Sequence, residues 1–341
     1  MSMPRRLDLT RAQILAFRRA VGALDARLAP GAASLRRAAW AGLQDSMPRA
    51  ALLAIHARVA GTRPDTWEDP ALIQVWGPRF SAYVVAVDDR AVFTLGRLPD
   101  AAAGRRFAQE TADRLEAVLA GRRLSYAEAG RALGMNPNAL RYAAPTGRVL
   151  IRWEGARRPT IWAAPAPAMD PGEARLELAR RYLHVLGPAT AASFAQWAGI
   201  PAARGPAAFA ALGHALLPVA TPVGDAWILA ADEPAFRSPA APPAPARLLP
   251  SGDAYWLLQG RDRELLVLDA ERRPQLWTPR VWPGAVLLHG EVAGIWRRDA
   301  ANVTIAAWRP LSPAERAAVE AEVATLPLPD AHGRIRVRWV G

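Results

Sequence analysis

The 341-residue chain contains no cysteine and no lysine. Without cysteine, disulfides and thiolate metal sites are excluded. Without lysine, the usual Schiff-base nucleophile is missing, and only an N-terminal amine is left for imine chemistry. There are five histidines, His56, His184, His214, His289 and His332, far apart and never in HxxxH or HExxH spacing. Neither a metal nor any other cofactor is therefore expected. No apolar run free of charge is long enough for a bilayer, so no membrane span is expected. The opening stretch "MSMPRRLDLTRAQ" carries arginines but no apolar segment after them, which argues against a secretory signal and for a cytoplasmic, nucleoid-associated protein.

What is present in excess is arginine. The chain has 43 basic and 31 acidic residues, a formal charge of +12, and every basic residue is arginine. The planar five-donor guanidinium suits phosphate and guanine edges, and a pI near 11.2 fits a polyanion such as DNA or RNA. The competing explanation is a solvated basic surface in a composition also rich in alanine and proline. Half the residues are apolar (51%), enough for two or three structural units.

The periodicity suggests one plan used three times. In the first unit, 1–100, helices are expected over "LTRAQILAFRRAVG", "SLRRAAWAGL" (34–43) and "PRAALLAIHARVAG" (48–61), with Pro48 in the first turn of the third. Two strands, 81–89 and 91–96, follow. The second unit, 101–168, has a long helix (105–121), a short one opened by the capping box Ser125–Glu128, a third at 136–144, and a hairpin at 148–165 with a basic tip. This helix–turn–helix and wing pattern places Asn136, Asn138 and Arg141 in the major groove and Arg157 and Arg158 on phosphates or in the minor groove; an ordinary helical pair with a solvated hairpin is the alternative. The third unit, 169–231, has helices at 172–187, 190–199 and 201–213, the last kinked at Gly205-Pro206, and a hairpin at 216–230 turning at Val223-Gly224-Asp225.

Residues 232–247 read as a Pro/Ala linker. Short strands "LLP", "AYWLLQG", "RELLVLD", "AVLLHG", "EVAGIWRR" and "NVTIAAWR" then suggest a small β-barrel over 248–341, with a capped helix at 312–326 and a final strand "RIRVRWV" whose Arg336 faces phosphate or guards an edge. "GRDR" (260–263) reads as a turn presenting Arg261 and Arg263, with Asp262 orienting one of them. The fold class is thus α+β, tandem winged helices followed by a small barrel. Most of the 13 tryptophans lie in periodic apolar runs and are expected in the core, and His56 is read as packed.

Four stretches, "AGLQDSMPRAALLAIHARV" (41–59), "RRYLHVLGPATAASFAQWAGI" (180–200), "ARLLPSGDAYWLLQGRDR" (246–263) and "AVLLHGEVAGIWRRDAANVTIAAWRPLSPAERAAVEAE" (285–322), carry a resemblance. In this order they resemble the winged-helix family that includes the AlkZ and YcaQ-like bacterial DNA glycosylases. The resemblance implies a concave basic surface and duplex DNA as ligand. It also implies a Gln–apolar–Gln or Gln–apolar–Asp motif before the third helix, which places the water that attacks the sugar. The matching positions are Gln44, Asp45 and Ser46. Gln44 fits, Asp45 stands where the apolar residue belongs, and Ser46 replaces the second polar residue.

A carboxylate at this place would orient water and stabilise a cationic sugar. Against that, Asp45 or Ser46 would cap the following helix, with Gln44 bonded to backbone. Three functions stay open: a monofunctional glycosylase for N-alkylated or crosslinked purines, a non-catalytic DNA binder that recognises lesions or regulates transcription, and a partner-binding scaffold. The molecule is expected to act as a monomer. The lack of lysine gives a direct prediction: borohydride reduction in the presence of abasic DNA will yield no covalent protein–DNA adduct, and a clear adduct would sink it.

Overall fold

The computed structural model describes residues 6–153, 159–328 and 335–340. It is a mixed α+β protein with three small sheets and one larger one. The first helix, Arg11–Val21, starts where expected, with Thr10 and Gln13 forming a capping box. Helices Ala32–Ala38 and Ala50–Arg58 follow. Pro48 lies outside the latter, because Arg49 adopts a left-handed conformation (φ 62°) and the helix starts beyond it.

Two sheets share one plan. The two-residue strand Leu43–Gln44 pairs antiparallel with Ala82–Ala86, which pairs with Leu72–Trp76. Likewise Leu124–Ser125 pairs with Thr160–Ala163, which pairs with Val149–Arg152. The expected strand at 91–96 is instead a short helix, Arg90–Thr94, and the hairpin partner of Ala82–Ala86 comes before it in sequence. Ala91, Val92, Phe93 and Thr94 are all buried, and such burial on every side carries no period by which strand and helix can be told apart. The helix expected at 136–144 is a 3-10 helix, Pro137–Thr146, with Asn136 as its side-chain cap. In the third unit the hairpin Leu216–Thr221/Gly224–Leu229 gains a strand from the chain start, Leu7–Asp8, in parallel register. The helix there runs Arg204–Leu212 with Gly205-Pro206 in its first turn, where proline lacks no needed N–H, so the expected kink does not arise.

The Pro/Ala segment is only partly a linker. Glu233–Arg237 is helical and Phe236 stacks on Phe17 with ring centroids 3.8 Å apart, while Ala246–Leu249 is a strand. That strand starts the larger sheet, ordered Ala246–Leu249, Gly284–Leu288, Glu291–Asp299, Asn302–Ala307, Arg336–Val340. All pairings are antiparallel except the last. Among the described residues this order is linear, with no pairing between its first and last strands. "AYWLLQG" and "RELLVLD" contribute no strand: Tyr255, Trp256, Leu257 and Leu258 are buried in turns, and Asp262–Leu266 is a helix. The helix Pro313–Ala324, opened by the Ser312–Glu315 box, covers the sheet.

Guanidiniums hold these parts together. Arg18 donates to the carbonyls of Leu186, Gly187 and Pro188, Arg97 to Ala198 and Trp76, Arg114 to Leu133, and Arg175 to Gly96 and Leu98. Each satisfies carbonyls that a helix or turn end leaves without partners. The largest commitment is the buried pair Arg58–Asp253, bidentate at 2.6 and 2.7 Å. It joins the Ala50–Arg58 helix to the loop after the first strand of the large sheet. Asp253→Ala leaves a buried guanidinium without its counter-ion and is expected to lower stability by about 3–5 kcal/mol, while Arg58→Met with Asp253→Leu restores most of it. Urea unfolding of both variants is the check, and near-equal stabilities would contradict it.

Candidate functional site

The Leu43–Gln44 strand delivers the QDS segment to the edge of its sheet, and the Asp45 amide continues the ladder onto the Ala82 carbonyl at 2.7 Å. Because side chains alternate along such a segment, neighbours part ways. Asp45 turns inward and is 1% exposed, while Gln44 and Ser46 stay half-buried. The Asp45 carboxyl accepts from the Ala51 amide (Oδ1, 3.0 Å) and from Gln74 Nε2 (Oδ2, 2.6 Å). Asp45 therefore caps the Ala50–Arg58 helix from six residues upstream, as one reading of the sequence expected, while Arg49 in the cap position gives no side-chain bond.

Gln44 departs from that reading, since its bonds go to side chains. Its Nε2 donates to Ser46 Oγ, and its Oε1 accepts from Arg79 Nη2 at 3.0 Å and lies 3.5 Å from the Tyr83 hydroxyl. Arg79 and Phe80 both have positive φ, 54° and 55°, uncommon for residues with such side chains and a small store of strain. Across the site, Gly252 (φ 72°) presses against the Gln44 amide; a Cβ there would come within 3.0 Å of Gln44 Cδ. Beyond Ser46 a cleft of about 380 Å³ opens, lined by Met47, Pro48, Ser251, Trp282, Trp296 and Arg297 among others.

Burial pushes the Asp45 carboxyl up to about 7. The Ala51 amide, Arg49, Gln74 and Arg152 act in the opposite direction. Both guanidiniums, Arg49 and Arg152, lie over the Trp67 ring at 3.9 and 3.7 Å. The result is a carboxyl that changes charge near neutrality, the property asked of a general base.

The expected DNA contacts fall in several places. Asn136 and Asn138 are exposed, and the Asn136 Oδ1 accepts the Asn138 amide. Arg141 is half-buried beside the Phe80 and Tyr142 rings. Arg261 and Arg336 are exposed. Arg263 instead donates to the Leu258 carbonyl and covers Trp277, and Asp262 is buried facing Arg18, so "GRDR" presents only Arg261. Arg157 and Arg158 lie outside the described residues. His56 is packed as read: burial and the nearby Arg27 hold it down to about 3. Among the described residues no cluster of three or more His, Asp or Glu could hold a metal, and no helix is long and apolar enough to cross a membrane.

Sequence reasoning missed Gln74, Arg79, Tyr83 and Gly252. Gln74 alone left a signal, a single polar residue inside the apolar strand Leu72–Trp76.

Comparison with known proteins supplies the context for this geometry. A family model described as DNA glycosylase AlkZ-like matches residues 35–327. A solved structure of the Streptomyces sahachiroi DNA glycosylase AlkZ superposes with a TM-score of 0.79 at 20% identity, over 98% of this chain and 100% of that one. A comparison with curated proteins gave no match.

The raised Asp45 carboxyl has a consequence for stability. In the unfolded chain the group titrates near 3.8, in the folded one near 7, so the folded state holds the proton more tightly. Stability contributed by the neutral form is full below pH 4 and is lost as pH rises through 7. Relative to Asp45→Asn, the protein is expected to lose on the order of 4 kcal/mol between pH 4 and pH 8. Denaturant titrations of both at several pH values measure this, and a pH-independent difference would rule it out.

Proposed function

This chain belongs to the AlkZ-like DNA glycosylase family, and on that premise we propose that it binds damaged duplex DNA and releases N-alkylated or crosslinked purines by hydrolysis. The observation that carries the reading is the QDS segment itself, with half-buried Gln44 held by Arg79 and Ser46 on one side and the buried Asp45 carboxyl, poised near neutrality, on the other.

The chemistry follows from these groups. An N-alkylated purine leaves readily because it is already cationic and departs neutral with the bonding electrons, which leaves the positive charge on an oxocarbenium-like sugar. Gln44 orients the attacking water but is no base at neutral pH. Asp45, ionised, stabilises the cationic sugar and takes the proton of the water once the segment is turned toward the substrate. Ser46 fixes the Gln44 amide. The helix-plus-hairpin units 1–100, 101–168 and 169–231 act as tandem winged helices, and 248–341 as a small barrel-like module reached through 232–247. Asn136, Asn138, Arg141, Arg261 and Arg336 contact the DNA in this reading, as do Arg157 and Arg158. The protein works as a monomer, without metal or cofactor, on the bacterial nucleoid.

One observation favours the second reading, a DNA binder without base excision: Asp45 is enclosed and serves as a helix cap. The experiment that separates the two is incubation with duplexes containing N7-methylguanine or an N7-linked interstrand crosslink, followed by alkali. Strand breaks are expected, reduced about 100-fold or more in Asp45→Asn and Gln44→Ala. Salt-sensitive binding with no breaks would leave the non-catalytic reading.

A further inference from the structure

Gln74 sits in the middle of the strand Leu72–Trp76, 4% exposed, and its side-chain amide bridges the Trp153 backbone and the Asp45 carboxyl. Its Oε1 accepts the Trp153 amide at 2.7 Å, and its Nε2 donates to Asp45 Oδ2 at 2.6 Å. A glutamine amide can be turned either way, but here the Trp153 N–H settles the matter, because only the oxygen can face a donor. The nitrogen must then point at Asp45. Trp153 directly follows the strand Val149–Arg152 of the second unit's hairpin, so a backbone group of one unit decides what the carboxyl of another receives.

We infer that Gln74 is a positioning residue for Asp45: locked by the Trp153 amide of the neighbouring hairpin, it holds the carboxyl in place and favours its ionised form. The inference rests on the reading of Asp45 as the working carboxyl. With Ala51 N–H on one oxygen and Gln74 N–H on the other, both oxygens receive donors, the arrangement suited to a carboxylate. The other charged groups facing Asp45 are Arg49 before its helix and Arg152 from the hairpin, the latter paired with Glu68 at 3.0 Å. Both guanidiniums remain in a Gln74 variant. The bond to Gln74 is therefore the adjustable contribution.

Two substitutions separate this from a role in packing alone. Gln74→Leu keeps the volume and removes the donor. Gln74→Glu keeps an acceptor for Trp153 but sets a second carboxyl against Asp45, so that the two share a proton. Carboxyl carbon NMR titration reads the Asp45 midpoint directly, with Asp45→Asn identifying the resonance. No catalysis is needed. In Gln74→Leu the midpoint is expected to rise by about one to two pH units. In Gln74→Glu a two-step titration is expected. The acid limb of base release from an N7-methylguanine duplex is expected to move by the same amount in Gln74→Leu, with KM little changed. An Asp45 midpoint that stays within 0.3 units (about the wild-type value) in both variants would overturn the inference. If wild-type protein releases no base, the glycosylase reading fails, and the NMR titration still decides whether Gln74 holds the carboxyl.

Discussion

The buried pair between Arg58 and Asp253 is the constraint on which the rest of the site depends. Its two ends lie far apart in sequence, on the Ala50–Arg58 helix and in the loop leading out of the large sheet, whose apolar residues pack together through Leu53 and Ala57. Removing both charges from water is costly, and it is recovered only with two well-aligned hydrogen bonds. The geometry supplies them, and Asp253 also accepts the Tyr255 amide, which shapes the loop. With that loop in place, Gly252 lies against the Gln44 amide, so the ion pair and the wall beside Gln44 belong to one loop.

The same economy explains the arginine excess. Several guanidiniums are internal fasteners, and one of them, Arg263, had been expected at DNA. Arg18, Arg97, Arg114 and Arg175 close helix or turn ends, and Arg263 covers a tryptophan. The forked donor suits this use because it can serve two or three carbonyls at once, where an ammonium is a point charge. The net charge of +12 is thus a mixed signal, part structure and part surface.

Much of the fold was legible because it is written in local chemistry. The capping boxes at Ser125 and Ser312 mark their helices correctly, and the hairpins at 148–165 and 216–230 lie where alternation puts them. The failures share a cause. "AVFTL" and "AYWLLQG" are buried on all sides, so their apolar runs have no face and no period. The strand from Leu7–Asp8 to Leu216–Thr221 joins residues far apart, and nothing local announces it. At the site, the QDS segment stood out by its resemblance to a family motif, and its dual character, cap and half-buried amide, follows from strand alternation. Its supports did not stand out. Arg79, Tyr83, Gln74 and Gly252 reach it from other elements, and their roles exist only in three dimensions.

The dependence of Gln44 on Gly252, and of the helix behind it on Asp253, has a consequence in time. A ribosome issues residues 44 and 45 first and residues 252 and 253 roughly 10 to 40 seconds later. Until then the QDS segment has its own sheet but lacks the far wall that pins it, and Arg58 lacks its counter-ion. The site is therefore completed late in synthesis, by the second half of the chain closing on the first, and a truncated product that ends before the loop carries the motif without the means to hold it.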